Sequence, residues 1–324
     1  MSKPVAQRHF LDFEKPIAEL EGKIEELRKL SEADGINIAD EVAKLTEKAD
    51  RQLRAAYAKL TAWQKTQVAR HPDRPHALEY FAQLITEYTP LSGDRAFGED
   101  AAVVGGLGRF RGHSVMVMGT EKGSDTESRV AHNFGMARPE GYRKARRLIE
   151  LAGRFGLPVL TFVDTSGAYP GIDAEARGQA EAIARSIEAC LDAPVPVIAT
   201  VIGEGGSGGA IAFAGGDVVL MLEHAIYSVI TPEGCAAILW KDAAQAPAAA
   251  EALKLTSEDL RRLKLIDGVV AEPLGGAHRD PEAAIAATGE AIQAALLPLL
   301  GLDGATLRAR RREKFLQMGR EALA

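Results

Sequence analysis

Short apolar runs alternate with longer helical patterns over most of this chain, and glycine-containing segments join the two kinds of pattern. The runs contain no charged residue and are rich in Val, Ile and Leu, which is typical of strands that are buried on both faces. They cover residues 158–163, 195–202, 218–222 and 226–230. This alternation of strand and helix predicts a layered α/β fold.

The same patterns predict further elements. Two strands are expected on either side of Arg111-Gly112, over residues 101–110 and 113–119. Helices are expected over residues 140–155, 175–192, 208–214, 232–241, 248–254, 257–263 and 281–299.

The first 60 residues have a different, helical pattern. Two apolar stripes at helical spacing predict an αα-hairpin over residues 13–60, with its break at Asp34-Gly35. The stripes consist of Phe13, Ile17, Leu20, Ile24 and Leu27, and of Ile38, Val42, Leu45, Ala49, Leu53, Ala56 and Leu60. Such seams need a partner surface, which is either the chain's own second domain or another subunit.

A proline-punctuated segment at residues 71–75 ends the helical region, and the soft domain boundary lies between it and Asp94. We therefore predict two parts of the chain. Residues 1–90 form an N-terminal helical region, which consists of the hairpin and a linker. Residues 91–324 form the α/β domain.

Composition excludes several classes of protein. The 324 residues are 46% hydrophobic and 26% charged, as in ordinary globular proteins, and the net charge of −6 gives no basic surplus that would bind nucleic acid. Only Cys190 and Cys235 occur, outside any Cys-x-x-Cys pair, so neither a disulfide framework nor a thiolate zinc site is predicted. No membrane span or secretory leader is recognisable, and we expect a cytoplasmic location.

The most informative stretch is VIGEGGSGGA at 201–210, which places five glycines between a buried strand and a helix. Glycine allows backbone N–H groups to approach a ligand closely, and a helix N-terminus favours negative charge. We therefore expect an anionic group at this stretch. In one interpretation the glycines form an oxyanion hole, which needs no side-chain nucleophile.

Two other templates also fit this stretch. The spacing Gly203-x-Gly205-x-x-Gly208, with Glu223 downstream, matches the dinucleotide fingerprint, although the helix that follows is short for a crossover.

The second template is the nucleophile elbow of α/β-hydrolases. Gly205-x-Ser207-x-Gly209 fits its pattern, and Asp267 and His278 follow in the order that a catalytic triad requires. This template predicts a serine hydrolase that uses Ser207.

A second loop, DTSGAYPG at 164–171, also follows a predicted strand and precedes a helix. Loops at the carboxyl ends of neighbouring strands face one crevice in open α/β sheets. Asp164 is either a base or an acceptor that fixes its own loop, as in an Asx-type turn.

Several blocks of sequence carry a family resemblance. They are NFGM at 133–136, PEGYRKA at 139–145, DTSGAYPG at 164–171, RGQ at 177–179, VIGEGGSGGA at 201–210, YSVITPEGCAAILWK at 227–241 and EPLGGAHR at 272–279. In this order they closely resemble the carboxyltransferase alpha subunits of bacterial acetyl-CoA carboxylase. The similarity begins at LDFEKPI, from residue 11, and extends almost to the C-terminus.

The resemblance implies a crotonase-type fold, a superhelix of stacked ββα turns, with the helical hairpin at its N-terminus. It implies transfer of carboxylate from carboxybiotin, held on a biotin carboxyl carrier protein, to acetyl-CoA. The product is malonyl-CoA, in the first committed step of fatty acid biosynthesis. It also implies a zinc-ribbon beta subunit in an α2β2 assembly, biotin carboxylase as a further component, and no metal in this chain.

The resemblance also implies a set of site residues. The backbone N–H groups of Gly208 and Gly209 would form the oxyanion hole for the ureido oxygen of biotin, where donors at a helix start stabilise developing charge. The carboxybiotin pocket would be shaped by Gly205, Gly206, Gly167 and Ala168. Ser166 stands where the family more often has proline, which leaves that loop less restricted.

Two other interpretations remain open from the sequence. The chain could be the serine hydrolase described above, or a non-catalytic scaffold that holds a partner and a carrier. Two basic clusters could meet CoA phosphates or an acidic carrier, although solvated helix surface or subunit contact is the more common role of such clusters. They consist of Arg143, Lys144, Arg146 and Arg147, and of Arg308, Arg310, Arg311 and Arg312.

Overall fold

The computed structural model describes residues 9–34 and 38–320. These residues form fourteen α-helices and eight strands. The helices are α1 (Lys15–Asp34), α2 (Ala39–Tyr57), α3 (Ala62–Ala69), α4 (Ala77–Leu84), α5 (Thr126–Ala131), α6 (Pro139–Phe155), α7 (Ile172–Ala176), α8 (Gln179–Asp192), α9 (Ser207–Ala214), α10 (Pro232–Leu239), α11 (Ala246–Leu253), α12 (Ser257–Arg262), α13 (Pro281–Leu296) and α14 (Gly304–Gln317). The strands are β1 (Ile85–Pro90), β2 (Val103–Phe110), β3 (His113–Thr120), β4 (Val159–Thr165), β5 (Val197–Gly206), β6 (Val218–Leu222), β7 (Ile226–Ser228) and β8 (Gly268–Val270).

The eight strands form one sheet in the order β1-β2-β3-β4-β5-β6-β8, and β7 pairs with the end of β5. The β1–β2 and β2–β3 pairs are antiparallel, whereas every pair from β3 onward is parallel. β4 and β5 are buried along their whole length, which accounts for their apolar sequences. Because parallel strands end at the same edge of a sheet, the loops that follow β4 and β5 lie side by side.

The strand predictions agree with the structure except at the strand ends. β5 continues to Gly206, beyond the predicted end at Ile202, because its last residues leave β6 and pair with β7. Two strands were not predicted from the sequence. β1 is largely polar and β8 is only three residues long, so neither forms an apolar run.

The predicted helix 175–192 is wrong at its start, because the structure divides that segment. α7 ends at Ala176, and α8 begins only after Gly178, whose positive φ of 80° breaks a right-handed helix. The predicted helix 281–299 changes to a 3₁₀ turn at Leu297–Leu299, which contains Pro298. The other predicted helices are confirmed, with small differences at their ends.

None of the helices in the described ranges is by itself long and apolar enough to span a membrane. One bent pair, Pro281–Leu299 with Gly304–Gln317, passes a test of length and composition when its two members are taken together. The two members meet at an angle of 118°.

The N-terminal hairpin packs on its own chain. Its first apolar cluster joins α1 to α2 and consists of Leu20, Ile24 and Ala49, with Val42 and Leu45 beside them. Its second cluster consists of Ile17, Leu53, Tyr57 and Val68, with Leu274 beside them. Since Val68 belongs to α3 and Leu274 follows β8, the base of the hairpin is covered by later parts of the same chain. The predicted break includes Gly35, which lies outside the described residues.

Several side chains of the basic clusters hold this fold together. In α6, Lys144 is buried and Arg143 donates to Asp94 at 2.7 Å. In α14, Arg311 is buried and pairs with Asp217 at 2.6 Å. Arg311 also donates to the carbonyl oxygens of Cys190, Ala193 and Val195. Arg143 and Arg311 therefore have partners within the chain.

Two histidine rings stack where the hairpin meets the C-terminal segment. The ring centroids of His71 and His278 are 3.8 Å apart, and the rings are inclined by 17°. Both ring nitrogens of His278 are buried without a hydrogen-bond partner among the described residues. Burial lowers the pKa of His278 to about 2 and also lowers the pKa of His71. The stack therefore requires neutral rings.

Acid should weaken this region of the protein. Below about pH 6.5, the unfolded chain takes up a proton at His278 that the folded chain does not, so the free energy of unfolding falls by about 1.4 kcal/mol per pH unit. Urea unfolding of the native chain and of His278→Gln, at about pH 7.5 and about pH 5, measures this slope. The variant should lose less stability, and equal losses would contradict the assignment.

A buried ion pair ties the segment between α3 and α4 to the sheet. The Nε of Arg74 donates to the carbonyl oxygen of Ile202 on β5 at 2.7 Å. The two terminal nitrogens of Arg74 donate to Glu272 at 2.9 and 2.6 Å, and both side chains are almost completely buried. Glu272 also accepts the backbone N–H groups of His224 and Ala277. Burial opposes the charge on Glu272, but Arg74 keeps its pKa below the usual value.

Arg74→Met should destabilise the fold by about 3–5 kcal/mol, because Glu272 would remain buried without its cation. A suitable control is Arg262→Met, which removes an arginine that is 69% exposed and pairs with Asp259. That change should cost less than about 1 kcal/mol. Urea denaturation measures both effects, and similar midpoints for the two variants would show that the buried pair has no special role.

Candidate functional site

The loops that follow β4 and β5 touch each other. A Cβ atom at Gly206 would collide with the carbonyl oxygen of Ser166. One at Gly209 would lie 2.7 Å from the carbonyl carbon of Gly167 and 2.8 Å from the amide nitrogen of Ala168. Only glycine leaves room for such approaches. The structure therefore brings together the glycines that the sequence placed in two separate loops.

The first turn of α9 presents backbone amides at this junction. Ser207 opens α9 with a φ of 51°, and no side chain in the described ranges caps the helix. The first N–H groups of a helix have no acceptor within it, and the helix dipole favours negative charge beside them. The N–H groups of Gly208 and Gly209 belong to this turn, so they can donate to a ligand oxygen.

The remaining predicted residues lie around this turn. Gly205 is buried within β5, opposite Tyr227 of β7, where a Cβ atom would lie 2.9 Å from the tyrosine ring. Gly167 is buried and has a φ of 149°, whereas Ala168 is partly exposed. All of the predicted site residues therefore lie within one junction of two loops.

Asp164 fills a gap where β4 and β5 separate. The register of the two strands shifts between Val163 and Thr165, so the regular ladder is interrupted there. The carboxylate of Asp164 accepts the backbone N–H of Glu204 at 2.9 Å in place of a strand partner. Of the two roles considered from the sequence, the structure therefore favours an acceptor, but the N–H that it accepts belongs to β5 and not to its own loop.

Charged side chains surround Asp164 beneath the loops. Lys122 lies 2.8 Å from Asp164 and 3.4 Å from Glu204, and His76 Nδ1 lies 3.1 Å from the second oxygen of Asp164. Burial opposes the charge on Asp164, but Lys122 and His76 hold its pKa well below its usual range. The two carboxylates likewise keep the pKa of Lys122 above its usual value despite burial. Asp164 is thus a poor proton acceptor at neutral pH.

A cavity of about 280 Å³ opens beside this charged cluster. Its lining includes Arg70, His76, Lys122, Phe134, Asp164 and Ser166. Phe134 is 51% exposed and lies in a turn in which Asn133, Phe134 and Gly135 all have positive φ. Strained backbone of this kind is concentrated at functional sites.

Sequence reasoning missed Arg70, His76 and Lys122. None of them belongs to a glycine-rich motif, and each lies next to the end of a helix or strand. One available signal was Glu204, a carboxylate inside an otherwise apolar run. A buried charge requires a partner, so Glu204 predicts a cation somewhere else in the chain.

The serine-hydrolase template is contradicted by the positions of its partners. Asp267 accepts the backbone N–H of Val219 at the start of β6, whereas Ser207 follows the far end of β5. That separation is roughly 25 Å along the strand direction. His278 is stacked on His71 beneath the hairpin. Ser207 therefore lacks the triad that the template requires.

The dinucleotide template is contradicted as well. Gly203 and Gly205 lie inside β5 and not in a turn after it, so they cannot cradle a pyrophosphate. Glu223, the expected ribose ligand, instead accepts the backbone N–H of Glu272 at 3.1 Å.

One group of side chains has the composition of a metal site. The ligand atoms of Glu14, His71 and His278 lie within 4.8 Å of one another. However, Glu14 already accepts hydrogen bonds from the hydroxyl of Tyr57 at 3.0 Å and from Arg279 at 3.3 Å. A cation beside the arginine would be repelled, so we interpret this group as a packing cluster.

Comparison with known proteins decides the family. Residues 10–319 match the family described as "Acetyl co-enzyme A carboxylase carboxyltransferase-like". The acetyl-coenzyme A carboxylase carboxyl transferase subunit alpha of Gluconacetobacter diazotrophicus is 69% identical over 317 residues, which are 98% of this chain and 100% of that protein. The subunit alpha of Acidiphilium cryptum is 70% identical over 312 residues, which are 96% of this chain and 98% of that protein.

This chain belongs to the family of acetyl-CoA carboxylase carboxyltransferase alpha subunits. The resemblance that the sequence blocks carried is thereby confirmed. With it, the predicted function of a carboxyltransferase subunit is confirmed.

Solved structures share the fold at low sequence identity. Transcarboxylase 12S has a TM-score of 0.54 and 20% identity, over 67% of this chain and 41% of that chain. The beta subunit of geranyl-CoA carboxylase from P. aeruginosa has a TM-score of 0.55 and 19% identity, over 75% of this chain and 46% of that chain. One chain of a Pseudomonas malonate decarboxylase hetero-tetramer has a TM-score of 0.57 and 17% identity, over 70% of this chain and 89% of that chain. The predicted crotonase-type α/β fold is confirmed by these similarities.

The contact between the two loops makes a testable prediction about stability. Gly209→Ala should lower the free energy of unfolding by about 1–3 kcal/mol, because its methyl group must push the loop at Gly167 away. Gly208→Ala is the matched control, since its Cβ would meet only Ile183, at an ordinary distance of 3.5 Å. That variant should change stability by less than about 1 kcal/mol. Equal urea midpoints for the two variants would contradict the close approach of the two loops.

Proposed function

We propose that this chain, together with a beta subunit, transfers carboxylate from carboxybiotin to acetyl-CoA and so forms malonyl-CoA, in the first committed step of fatty acid biosynthesis. The observation that carries the proposal is the first turn of α9, where Gly208 and Gly209 present amide groups beside a second glycine loop. Family membership supports it, because the relatives are named as acetyl-CoA carboxylase carboxyl transferase alpha subunits.

The backbone of α9 would act on the ureido oxygen of biotin. Carboxybiotin, held on a carrier protein, supplies the carboxylate. The N–H groups of Gly208 and Gly209 would donate to the ureido oxygen and so stabilise the negative charge that develops there. Each preorganised donor of this kind is worth about 3 kcal/mol in the transition state. The walls of the pocket in this proposal are Gly205, Gly206, Gly167 and Ala168.

The residues around the first turn of α9 fit the ureido group of biotin. The ureido oxygen is a small acceptor that must approach the backbone closely, and glycine provides this access because it has no Cβ. The neighbouring carboxylates of Asp164 and Glu204 are both paired with cations, so they neither repel the developing charge strongly nor compete as proton acceptors. No side chain of this chain has to act as a nucleophile.

A beta subunit would cover the exposed apolar surface beside the glycine loop. We define this as the α10 surface, which consists of Val229, Ile238, Leu239 and Trp240, with exposed fractions of 71, 69, 67 and 46%. The strand β7, which leads into it, pairs with Gly205 and Gly206. The α10 surface is thus continuous with the site. Apolar patches of this kind are typical of subunit interfaces.

The family resemblance supports the remaining parts of the proposal. The beta subunit carries a zinc ribbon and forms an α2β2 assembly with this chain, and biotin carboxylase loads the biotin carboxyl carrier protein. This chain needs no metal of its own, and the assembly works in the cytoplasm. The proposed division of the chain is at residues 1–90 and 91–324, although β1, at the end of the first part, pairs with β2 of the second.

The test is biotin-dependent carboxyl exchange between malonyl-CoA and biocytin. Exchange should occur when the chain is mixed with a zinc-ribbon beta subunit, and not with the chain alone. In the assembled complex, Gly209→Val should lower kcat by about 100-fold or more, because displaced donors no longer meet the developing charge. The control is Gly301→Val, since a Cβ at Gly301 meets no atom within 4 Å.

Each result has a distinct meaning. Absence of exchange in a demonstrably assembled complex would overturn the proposal and favour the non-catalytic scaffold. Full exchange by assembled Gly209→Val would overturn the oxyanion assignment alone. Labelling of Ser207 by a fluorophosphonate probe would revive the hydrolase interpretation.

A further inference from the structure

One arginine joins two carboxylates on different elements close to the glycine loop. Arg70, the C-cap residue of α3, donates from Nε and Nη2 to Glu204 at 2.9 and 2.6 Å. Its other terminal nitrogen, Nη1, donates to Glu233 at 2.6 Å. The Arg70 side chain is 28% exposed, and that of Glu204 only 5%. The contact is therefore mostly shielded from water, where charge-assisted hydrogen bonds are strong.

The two carboxylates occupy informative positions. Glu204 lies on β5, three residues before the start of α9. Glu233 lies in the first turn of α10, two residues after the N-cap Thr231. Arg70 thus fixes α10, and with it the α10 surface, to the strand that supplies the amides of Gly208 and Gly209.

The connection continues to the other loop. On the side away from Arg70, Glu204 lies 3.4 Å from Lys122, and Lys122 lies 2.8 Å from Asp164. Asp164 is the residue from which the second glycine loop departs. A continuous chain of alternating charges therefore runs from α10 through the end of β5 to the end of β4.

We infer that Arg70 is a positioning residue for carboxyl transfer, which holds the first turn of α9 at the correct distance from α10 and the α10 surface. This inference rests on the proposed function. Arginine suits the role because its planar fork reaches two carboxylates at once, whereas the ammonium of lysine is a single point charge. Because of this bridge, a partner that binds α10 also affects the position of the Gly208 and Gly209 amides.

The test compares variants of Arg70 in the assembled complex with a beta subunit. Arg70→Met should lower kcat for malonyl-CoA exchange by about 10- to 100-fold, because small displacements of a preorganised site are costly. KM for malonyl-CoA should change by less than about twofold, since in this proposal Arg70 acts through Glu204 and Glu233 and not by contact with malonyl-CoA. Arg70→Lys should have a higher kcat than Arg70→Met, because either Glu204 or Glu233 regains a cation.

Arg109→Met is the matched control. Arg109 pairs with Glu87 at 2.9 Å, but the two side chains are 46 and 72% exposed on the antiparallel part of the sheet. This variant should keep the native kcat and KM. A loss of thermal stability in Arg70→Met with an unchanged kcat of the assembled complex would show a merely structural role and overturn the inference.

Failure of this inference and failure of the proposed function give different results. If the native assembled complex shows no exchange, the proposed function is wrong. If the native complex is active and assembled Arg70→Met matches it, only the positioning role is wrong. Should Arg70→Met not assemble, Glu233→Gln weakens one arm of the bridge and should lower kcat by about threefold or more. An unchanged kcat in that variant would overturn the inference.

Discussion

The buried pair of Arg74 and Glu272 determines how the rest of the molecule is arranged. Arg74 precedes α4, Glu272 follows β8, and the same guanidinium holds the carbonyl of Ile202 in the middle of β5. Because a buried charge is costly when its partner is missing, these three segments must come together at once. The contact places the N-terminal helices and the C-terminal segment on the strand that carries the glycine loop. The position of the site therefore depends on this buried ion pair.

Charges and amides are divided between two layers at the carboxyl edge of the sheet. In the lower layer, Asp164 and Glu204 are each matched by a cation, so this layer is nearly neutral. In the upper layer, the amides of Gly208 and Gly209 provide fixed partial positive charge. Amide dipoles that are already oriented stabilise negative charge as it develops in the reaction. An unpaired arginine at the same place would instead bind any anion strongly. The arrangement is suited to a transient oxyanion.

The sequence predicted the elements that depend on local patterns. The apolar strands, most helices, both glycine loops and the family blocks are all contained in short windows. It could not predict the bridge of Arg70, because its partner Glu204 is 134 residues away in the chain. The division of the helix at Gly178 and the separation of Asp267 from Ser207 also depend on tertiary geometry. The order of Ser207, Asp267 and His278 along the chain matches a hydrolase triad, but this order carries no information about the distances between them in the fold.

The change of partner along β5 has a wider consequence. As far as Val201 the strand pairs with β6, and from Glu204 onward it pairs with β7, so one buried strand first builds the core sheet and then the site. The residues that keep the protein folded and those that we propose for chemistry are neighbours in sequence but belong to different environments. Substitutions at this end are tightly restricted, because it is buried as completely as the rest of β5 and a Cβ atom at Gly205 or Gly206 would collide with its neighbours. The chemistry of the site can therefore change only together with the packing around it.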